Sequence, residues 1–160
     1  IAEVNATAAG GGMHLALACD LVVMAESAKF ISVFVRRGIA PDAGGAWMLS
    51  RLIGPQRAKE LFFFGDAVKS EQALALGLVN AVVADEQLRS EVDALATRLA
   101  SGPTKAIAQA KALVNRAMDL DRTSAFADEA NAQELVVNTE DMREGVAAFL
   151  ERRDPEFRGW

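Results

Sequence analysis

The hydrophobic pattern of the chain changes near residue 85, and this change limits the folds that the sequence can adopt. Before that point, short apolar runs at 1–4, 21–25 and 78–84 have the length of strands and alternate with amphipathic helical segments. Beyond it, apolar residues recur only at helical spacing, as in the series Leu88, Val92, Leu95, Ala96 and Leu99. The sequence therefore predicts an α/β part over residues 1–84 and an all-helical part over residues 85–160.

Glycine, proline and small polar residues mark several helix ends. Gly54 should end the helix of GGAWMLSRLI, and Pro55 is well placed as the first residue of the next helix. Ser70 is expected to cap the segment EQALAL, which Gly77 would end. Thr139, followed by two acidic residues, is expected to cap the final helix.

The segment AAGGGMHLALACD places three glycines, Gly10 to Gly12, between a strand and a helix. Glycine lets a ligand approach the backbone closely, and the first N–H groups of the helix have no partner within it. Such a turn can hold an anion or a developing oxyanion. A tight turn that serves only close packing is the alternative. The spacing matches neither a phosphate loop nor a dinucleotide-binding motif.

Asp42, in APDAGGAW, lies among small residues just before a predicted helix. Aspartate is one of the commonest helix N-caps, so the residue could cap this helix. The alternative is that its carboxylate carries chemistry, and the residues of this loop alone leave both interpretations open.

His14 is the only histidine, and it lies in the first turn after the glycines, where the helix dipole disfavours an imidazolium. It could face a ligand, or it could simply pack. Cys19, on the same helix, is expected to be a small buried side chain. No His, Cys or acidic residues have metal-ligand spacing, so no metal is expected.

Composition argues against several classes of partner. The formal net charge is −5 and the basic residues are scattered, so nucleic-acid binding is not expected. No apolar run approaches the ~20 residues that span a bilayer, and no membrane partner is expected. The single cysteine cannot form an intrachain disulfide, which agrees with a cytoplasmic location.

Four segments carry a family pattern, in order and at matching spacing: IAEVNATAAGGGMHLALACDLVVMAESAKF, GIAPDAGGAWMLSRLIG, RAKELFFFGDAVKSEQALALGLVNAVV and EGVAAFLERRDPEFRG. Together they resemble the crotonase superfamily, the enoyl-CoA hydratases and isomerases. The resemblance implies a spiral of ββα units followed by a helical trimerisation region, with trimers often paired into hexamers.

The resemblance also implies an acyl-CoA thioester substrate whose carbonyl oxygen lies between two backbone N–H groups. Gly11 would provide the second of these, with Gly10, His14 and Phe34 nearby as substrate-binding residues. CoA arrives with the substrate, so no separate cofactor is implied. The family's N-terminal part has no counterpart here, and the chain opens on IAEV, a strand entered in mid-course. We therefore expect a longer protein of which this is the C-terminal part.

Two positions depart from the hydratase pattern. Typical hydratases of the family carry one glutamate in the helix after the glycines and a second about twenty residues later. The resemblance puts His14 and Phe34 at those positions. Hydration needs an activated water and a delivered proton, and neither carboxylate is present, so ordinary hydratase activity is not expected.

The loop GIAPDAGGAW is similar to that of phenylacetate-pathway isomerases, which act on ring-epoxide and enoyl CoA thioesters and use an aspartate here as acid and base. One carboxylate suffices to move a proton between two carbons, so Asp42 and Gly11 are the expected catalytic residues of an isomerase. In one alternative, Asp42 is the nucleophile of a dehalogenase or thioester hydrolase, with His14 as the only imidazole that could activate water. In another, the protein binds acyl-CoA without catalysis.

The last helix supplies two further candidates. In the family, an aromatic and a basic residue of this helix approach the CoA of an adjacent subunit, and the resemblance puts Phe149 and Arg152 at those positions. A solvated charge is the alternative for Arg152. The helical part also carries more apolar faces than a small core needs, which favours a homo-oligomer. The resemblance implies that this oligomer is a trimer or hexamer.

Overall fold

The structure, a computed structural model, describes all 160 residues and divides into two compact units. The first unit is Ile1–Ala94 and the second is Leu95–Trp160. We predicted that the α/β part ends at residue 84 and that the all-helical part begins at residue 85. The packing boundary lies later because Leu88 and Val92, on the helix that follows the last strand, are buried.

The first unit contains six short strands: β1 (Ala2–Val4), β2 (Thr7–Ala9), β3 (Val22–Ala25), β4 (Lys29–Ile31), β5 (Ala67–Lys69) and β6 (Ala81–Val83). They form two three-stranded sheets with the orders β1-β3-β6 and β2-β4-β5. All pairs are parallel except that of β4 with β5. Every residue of the central strand β3 is buried, as expected for a parallel strand with neighbours on both edges.

The first four strands alternate between the sheets, β1 and β3 in one and β2 and β4 in the other. The register pairs Glu3 with Val23 and Ala8 with Phe30. Phe30 is wholly buried at the centre of the second sheet. The Gly10 N–H donates to the carbonyl of Ile31 (2.9 Å), so the glycine turn lies at the carboxyl ends of β2 and β4.

Four helices complete the first unit, together with 3₁₀ turns at Val35–Arg37 and Asp85–Gln87. Gly54 ends one helix and Pro55 begins the next, as predicted. The four are α1 (Gly11–Leu17), α2 (Gly45–Ile53), α3 (Pro55–Phe64) and α4 (Ser70–Ala75).

One local expectation was wrong, and two strands were not predicted. The strands β2 (TAA) and β5 (AVK) lack the apolar run that indicated β1, β3 and β6. Ser70 does not cap α4: Lys69 holds the N-cap position, and no side chain caps the helix. The Ser70 hydroxyl instead donates to the carbonyl of Glu26 (2.7 Å), a bond between segments far apart in the chain. Gly77 follows α4 with φ 75°, as expected for a residue that ends a helix.

Helices dominate the second unit, and α5 (Leu88–Ala100) contains the boundary. The others are α6 (Thr104–Ala117), α7 (Arg122–Val137) and α8 (Glu140–Glu151), with α6 packed against α7. The Thr139 hydroxyl accepts from the N–H of Met142 (3.1 Å), which confirms the predicted cap of α8. Asp121 caps α7, which was not predicted. None of the eight α-helices is both long and apolar enough to cross a membrane.

The segment after α8 is held against that helix by carboxylates. Glu144 accepts hydrogen bonds from the Arg153 guanidinium (2.5 and 3.0 Å) and from the N–H of Glu156 (2.8 Å). The buried Asp141 accepts from the N–H groups of Arg158 (2.7 Å) and Gly159 (2.9 Å). The last residues of the chain are therefore fixed within the second unit.

We expect the carboxyl group of Glu144 to titrate far below its usual range. The hydrogen bonds from Arg153 and from the N–H of Glu156 lower the pKa of Glu144 from 4.5 to about 2. Because this pKa lies below that of the unfolded chain, ionised Glu144 stabilises the fold above about pH 4.5, and this contribution is lost as pH falls toward 2. The measurement is the NMR titration of the Glu144 carboxyl carbon and the Glu156 amide proton.

Substituting Arg153→Gln should move this midpoint up toward 4.5, whereas Arg143→Gln on the same helix should leave it unchanged. A wild-type midpoint near 4.5 would show that the bonds between Glu144 and Arg153 do not form in solution.

Candidate active site

The glycine turn leaves the start of α1 open on one side. Gly10 has φ 54° and ψ −124°, a conformation that L-residues rarely adopt. A Cβ at Gly10 would also lie 3.3 Å from Val33 Cγ2 and 3.6 Å from Phe34 Cζ. At Gly11 and Gly12, by contrast, a Cβ would meet nothing within 4 Å. Gly10 is therefore required by the fold, while the space beside Gly11 is free for a ligand.

His14 lies inside the core of the first unit and is 0% exposed. Its Nδ1 is 2.9 Å from the main-chain oxygen of Asp42, so His14 connects α1 to the loop before α2. Its ring stacks on Phe34, with centroids 5.2 Å apart and an interplanar angle of 14°, and meets the edge of Phe62 at 6.1 Å. Nε2 is buried and has no hydrogen-bond partner. The structure thus places His14 among aromatic side chains rather than at the surface.

Gly45, the first residue of α2, makes room for this imidazole. A Cβ built on Gly45 would overlap the His14 ring at Cε1 and both nitrogens. The ring is buried between Phe34 and Phe62, so it cannot move aside cheaply. Sequence reasoning missed this role. The signal in the sequence for a close approach to Gly45 is the pair Gly44-Gly45, which by its pattern alone indicates only a helix start.

Asp42 is exposed and does not cap α2, so the interpretation of Asp42 as a helix cap was wrong. Gly44 holds the N-cap position in a left-handed conformation (φ 75°), and no side chain caps the helix. Asp42 takes part through its carbonyl instead, which accepts from the N–H of Gly45 (3.0 Å) as well as from His14. Its carboxylate has no hydrogen bond or ion pair within the chain.

Phe34 joins the glycine turn to His14. Its side chain is 5% exposed, and its ring lies between the Gly10 backbone and the imidazole. Gly10, Gly11, His14, Phe34 and Asp42 therefore form one neighbourhood around the start of α1, a connection that the sequence could not show.

Phe149 and Arg152 lie near the end of α8, in the second unit. Phe149 is 81% exposed, and Arg152 is the C-cap of the helix with φ 57°. Other large apolar side chains on the helices of this unit are also more than half exposed: Val114, Met118, Phe126, Leu135 and Leu150. The chain contains no group of three or more His, Cys, Asp or Glu residues arranged to hold a metal ion.

The chain matches known proteins over almost its whole length. A family model described as enoyl-CoA hydratase/isomerase matches residues 1–159. The chain is 42% identical over 157 residues to the crotonyl-CoA hydratase of Syntrophomonas wolfei, covering 98% of this chain and 60% of that protein. It is 40% identical over 159 residues to the 1,2-epoxyphenylacetyl-CoA isomerase of Escherichia coli K12, covering 99% and 61%.

Solved structures with similar sequences have the same fold as this chain. A crystal structure of "Enoyl-CoA Hydrates Subunit I" from Geobacillus kaustophilus HTA426 superposes with a TM-score of 0.96 at 42% identity, covering 99% of this chain and 62% of that one. The enoyl-CoA hydratase of Bacillus anthracis gives a TM-score of 0.91 at 37% identity, covering 96% and 60%. The expected fold is confirmed. The chain spans about 60% of the length of the curated relatives it matches.

The two neighbouring glycines should respond differently to the same substitution. Gly10→Ala puts a Cβ at φ 54° and against Val33, so we expect it to cost about 1–3 kcal/mol of unfolding free energy. Gly11→Ala places its Cβ in open space and should leave stability within about 0.5 kcal/mol. Urea denaturation measures both. Equal losses for the two variants would contradict the geometry of this turn.

Proposed function

The chain belongs to the enoyl-CoA hydratase/isomerase family, and from this premise we propose that the protein isomerises an acyl-CoA thioester by moving a proton through Asp42. The N–H of Gly11 would hold the thioester oxygen while it carries the charge of the enolate. CoA enters as part of the substrate, and we propose no metal or redox cofactor.

The free carboxylate of Asp42 carries this proposal. The residue is fixed through its main chain by His14 and Gly45, while its side chain bonds to nothing in the chain. A group that takes a proton from one carbon and returns it to another must be held in place yet be free to react. The 40% identity to a 1,2-epoxyphenylacetyl-CoA isomerase supports this reading.

Each part of the site would contribute a separate share of the rate. A positioned acid–base group accelerates proton transfer by about 10²- to 10⁴-fold. An oxyanion donor such as the N–H of Gly11 is worth about 2.7–4 kcal/mol in the transition state. One carboxylate is enough, because the proton that Asp42 removes is the one it gives back.

Hydration is the second candidate, favoured by the 42% identity to a crotonyl-CoA hydratase. It needs groups that activate water and deliver a proton, and the resemblance puts His14 and Phe34 at the two usual glutamate positions. Phe34 has no titratable group, and His14 is wholly buried. Both observations favour isomerisation.

Two other functions are weaker alternatives. A hydrolase or dehalogenase with nucleophilic Asp42 needs a water activator, and the only imidazole is buried with Nδ1 bonded to the Asp42 main chain. Label from ¹⁸O-water appearing in Asp42 during a single turnover would identify that mechanism. A non-catalytic acyl-CoA-binding protein would show no turnover of any thioester.

Assembly forms part of the proposal. We propose a homo-oligomer, a trimer or hexamer, in which Phe149 and Arg152 approach the CoA of an adjacent subunit. The exposure of Phe149 and of the apolar helix faces in the second unit supports such an interface.

Asp42→Asn tests the proposed chemistry. The amide keeps the size of the side chain but cannot take up a proton, so we expect at least about a 100-fold loss of isomerisation rate. Binding of acyl-CoA should change no more than a few-fold, as measured by calorimetry. Glu60→Gln, at another exposed carboxylate of the first unit, is the matched control and should keep full activity. A rate above about a tenth of wild type in the Asn variant would rule out Asp42 as the acid–base group.

Arg152→Gln tests the proposed assembly. Removing a phosphate contact should weaken CoA-ester binding, and more strongly at low salt because screening is weaker there. Arg143→Gln, earlier on the same helix, is the control and should not change the affinity. Light scattering should give a trimer or a multiple of it. A monomer at micromolar concentration, or an unaltered affinity at low salt, would contradict this part of the proposal.

A further inference from the structure

We propose that His14 is a positioning residue: it holds the main chain of Asp42 against the helix that carries Gly11, and so sets where the Asp42 carboxylate reaches. This inference rests on the proposed function for its catalytic consequence. The hydrogen bond itself (Nδ1 to the Asp42 oxygen, 2.9 Å) does not depend on that function. Gly11 and His14 both belong to α1, and the hydrogen bond joins this helix to the loop.

The tautomer of His14 follows from its partner. A carbonyl oxygen only accepts hydrogen bonds, so Nδ1 must carry the proton. In the neutral ring Nε2 is then an acceptor, and it is buried without a donor. An unpaired buried polar atom costs free energy, and an apolar side chain of similar size would avoid this cost. The bond at Nδ1 therefore gives His14 a role that space-filling alone does not explain.

The Asp42 carbonyl is fixed from two sides. It accepts from His14 Nδ1 on α1 and from the N–H of Gly45 on α2 (3.0 Å), which uses both of its lone pairs. The imidazole has little freedom, because Phe34 covers one face and Gly45 leaves space for the ring and no more. The direction of the bond from His14 is thus set by packing.

The backbone after Asp42 needs such support. Ala43 has φ 48° and Gly44 has φ 75°, two consecutive residues in the left-handed region. Alanine adopts this region only where its surroundings impose it. Without the bond to His14 the loop would relax toward other conformations, and the Asp42 carboxylate would lose its fixed position relative to Gly11. Misplacing a reacting group by about 1 Å can lower a rate by about 10²-fold.

Two substitutions at His14 separate positioning from packing. His14→Asn keeps an N–H donor on the atom that follows Cγ, as Nδ1 does, whereas His14→Leu fills space without a donor. We expect His14→Leu to lower kcat by about 10- to 100-fold with KM changed less than about 3-fold. His14→Asn should recover most of that loss. Met13→Leu, a conservative change at another buried side chain of α1, is the control and should stay within about 3-fold of wild-type kcat.

The effect must also act through Asp42. In an Asp42→Asn background, adding His14→Leu should cause no further loss of kcat, because no acid–base group remains to be positioned. A merely structural role would lower kcat in both backgrounds and would not be rescued by His14→Asn. Either of those results would overturn the proposal.

NMR tests the hydrogen bond without an activity assay. Because His14 is the only histidine, its imidazole ¹⁵N signals are unambiguous. We expect the Nδ1–H tautomer, with slow exchange of that proton, and an Asp42 carbonyl ¹³C shift that moves in His14→Leu and returns in His14→Asn. An Nε2–H tautomer would overturn the inference. If the wild type isomerises no thioester, the proposed function fails, while the tautomer still decides whether His14 holds the loop.

Discussion

The carbonyl oxygen of Asp42 is the point on which the arrangement of this site depends. One hydrogen bond reaches it from α1 through His14, and another from the first residue of α2. Without these two hydrogen bonds, nothing would join the Asp42 loop to the glycine turn at the start of α1. With them, a residue 28 positions away from His14 in the chain becomes part of the same rigid unit. The Asp42 side chain remains free because the main chain makes the attachment.

The pairing of the strands positions the glycine turn and Phe34. The strands β2 and β4 pair in parallel, so the carboxyl end of β2 lies beside that of β4. The Gly10 N–H bonds to Ile31, and Phe34 follows three residues later with its ring against Gly10 and His14. The open space beside Gly11 and the buried imidazole thus arise from the same strand pair. These strands have only three residues each, and the wholly buried Phe30 anchors β4 in the core.

Local signals in the sequence predicted where helices begin and end, but not which distant residues contact each other. Gly54, Pro55 and Thr139 act through residues at most four positions away, and all three were predicted. Ser70 was misassigned because its hydroxyl bonds to Glu26, far away in the chain. The candidate site follows the same rule. Its residues could be picked from motif and resemblance, yet nothing local indicated that Asp42 would be held through its carbonyl.

The resemblance puts His14 and Phe34 at the two glutamate positions of the hydratases, and the structure packs these two side chains against each other. Their rings stack at 5.2 Å inside the core. A carboxylate replacing either ring alone would be buried against the other without a partner, which costs several kcal/mol. A glutamate at position 14 would also give up the donor to the Asp42 carbonyl. The imidazole at position 14 therefore has two consequences: it occupies space that a buried carboxylate could not fill without a partner, and it fixes the main chain of the aspartate that we propose moves the proton.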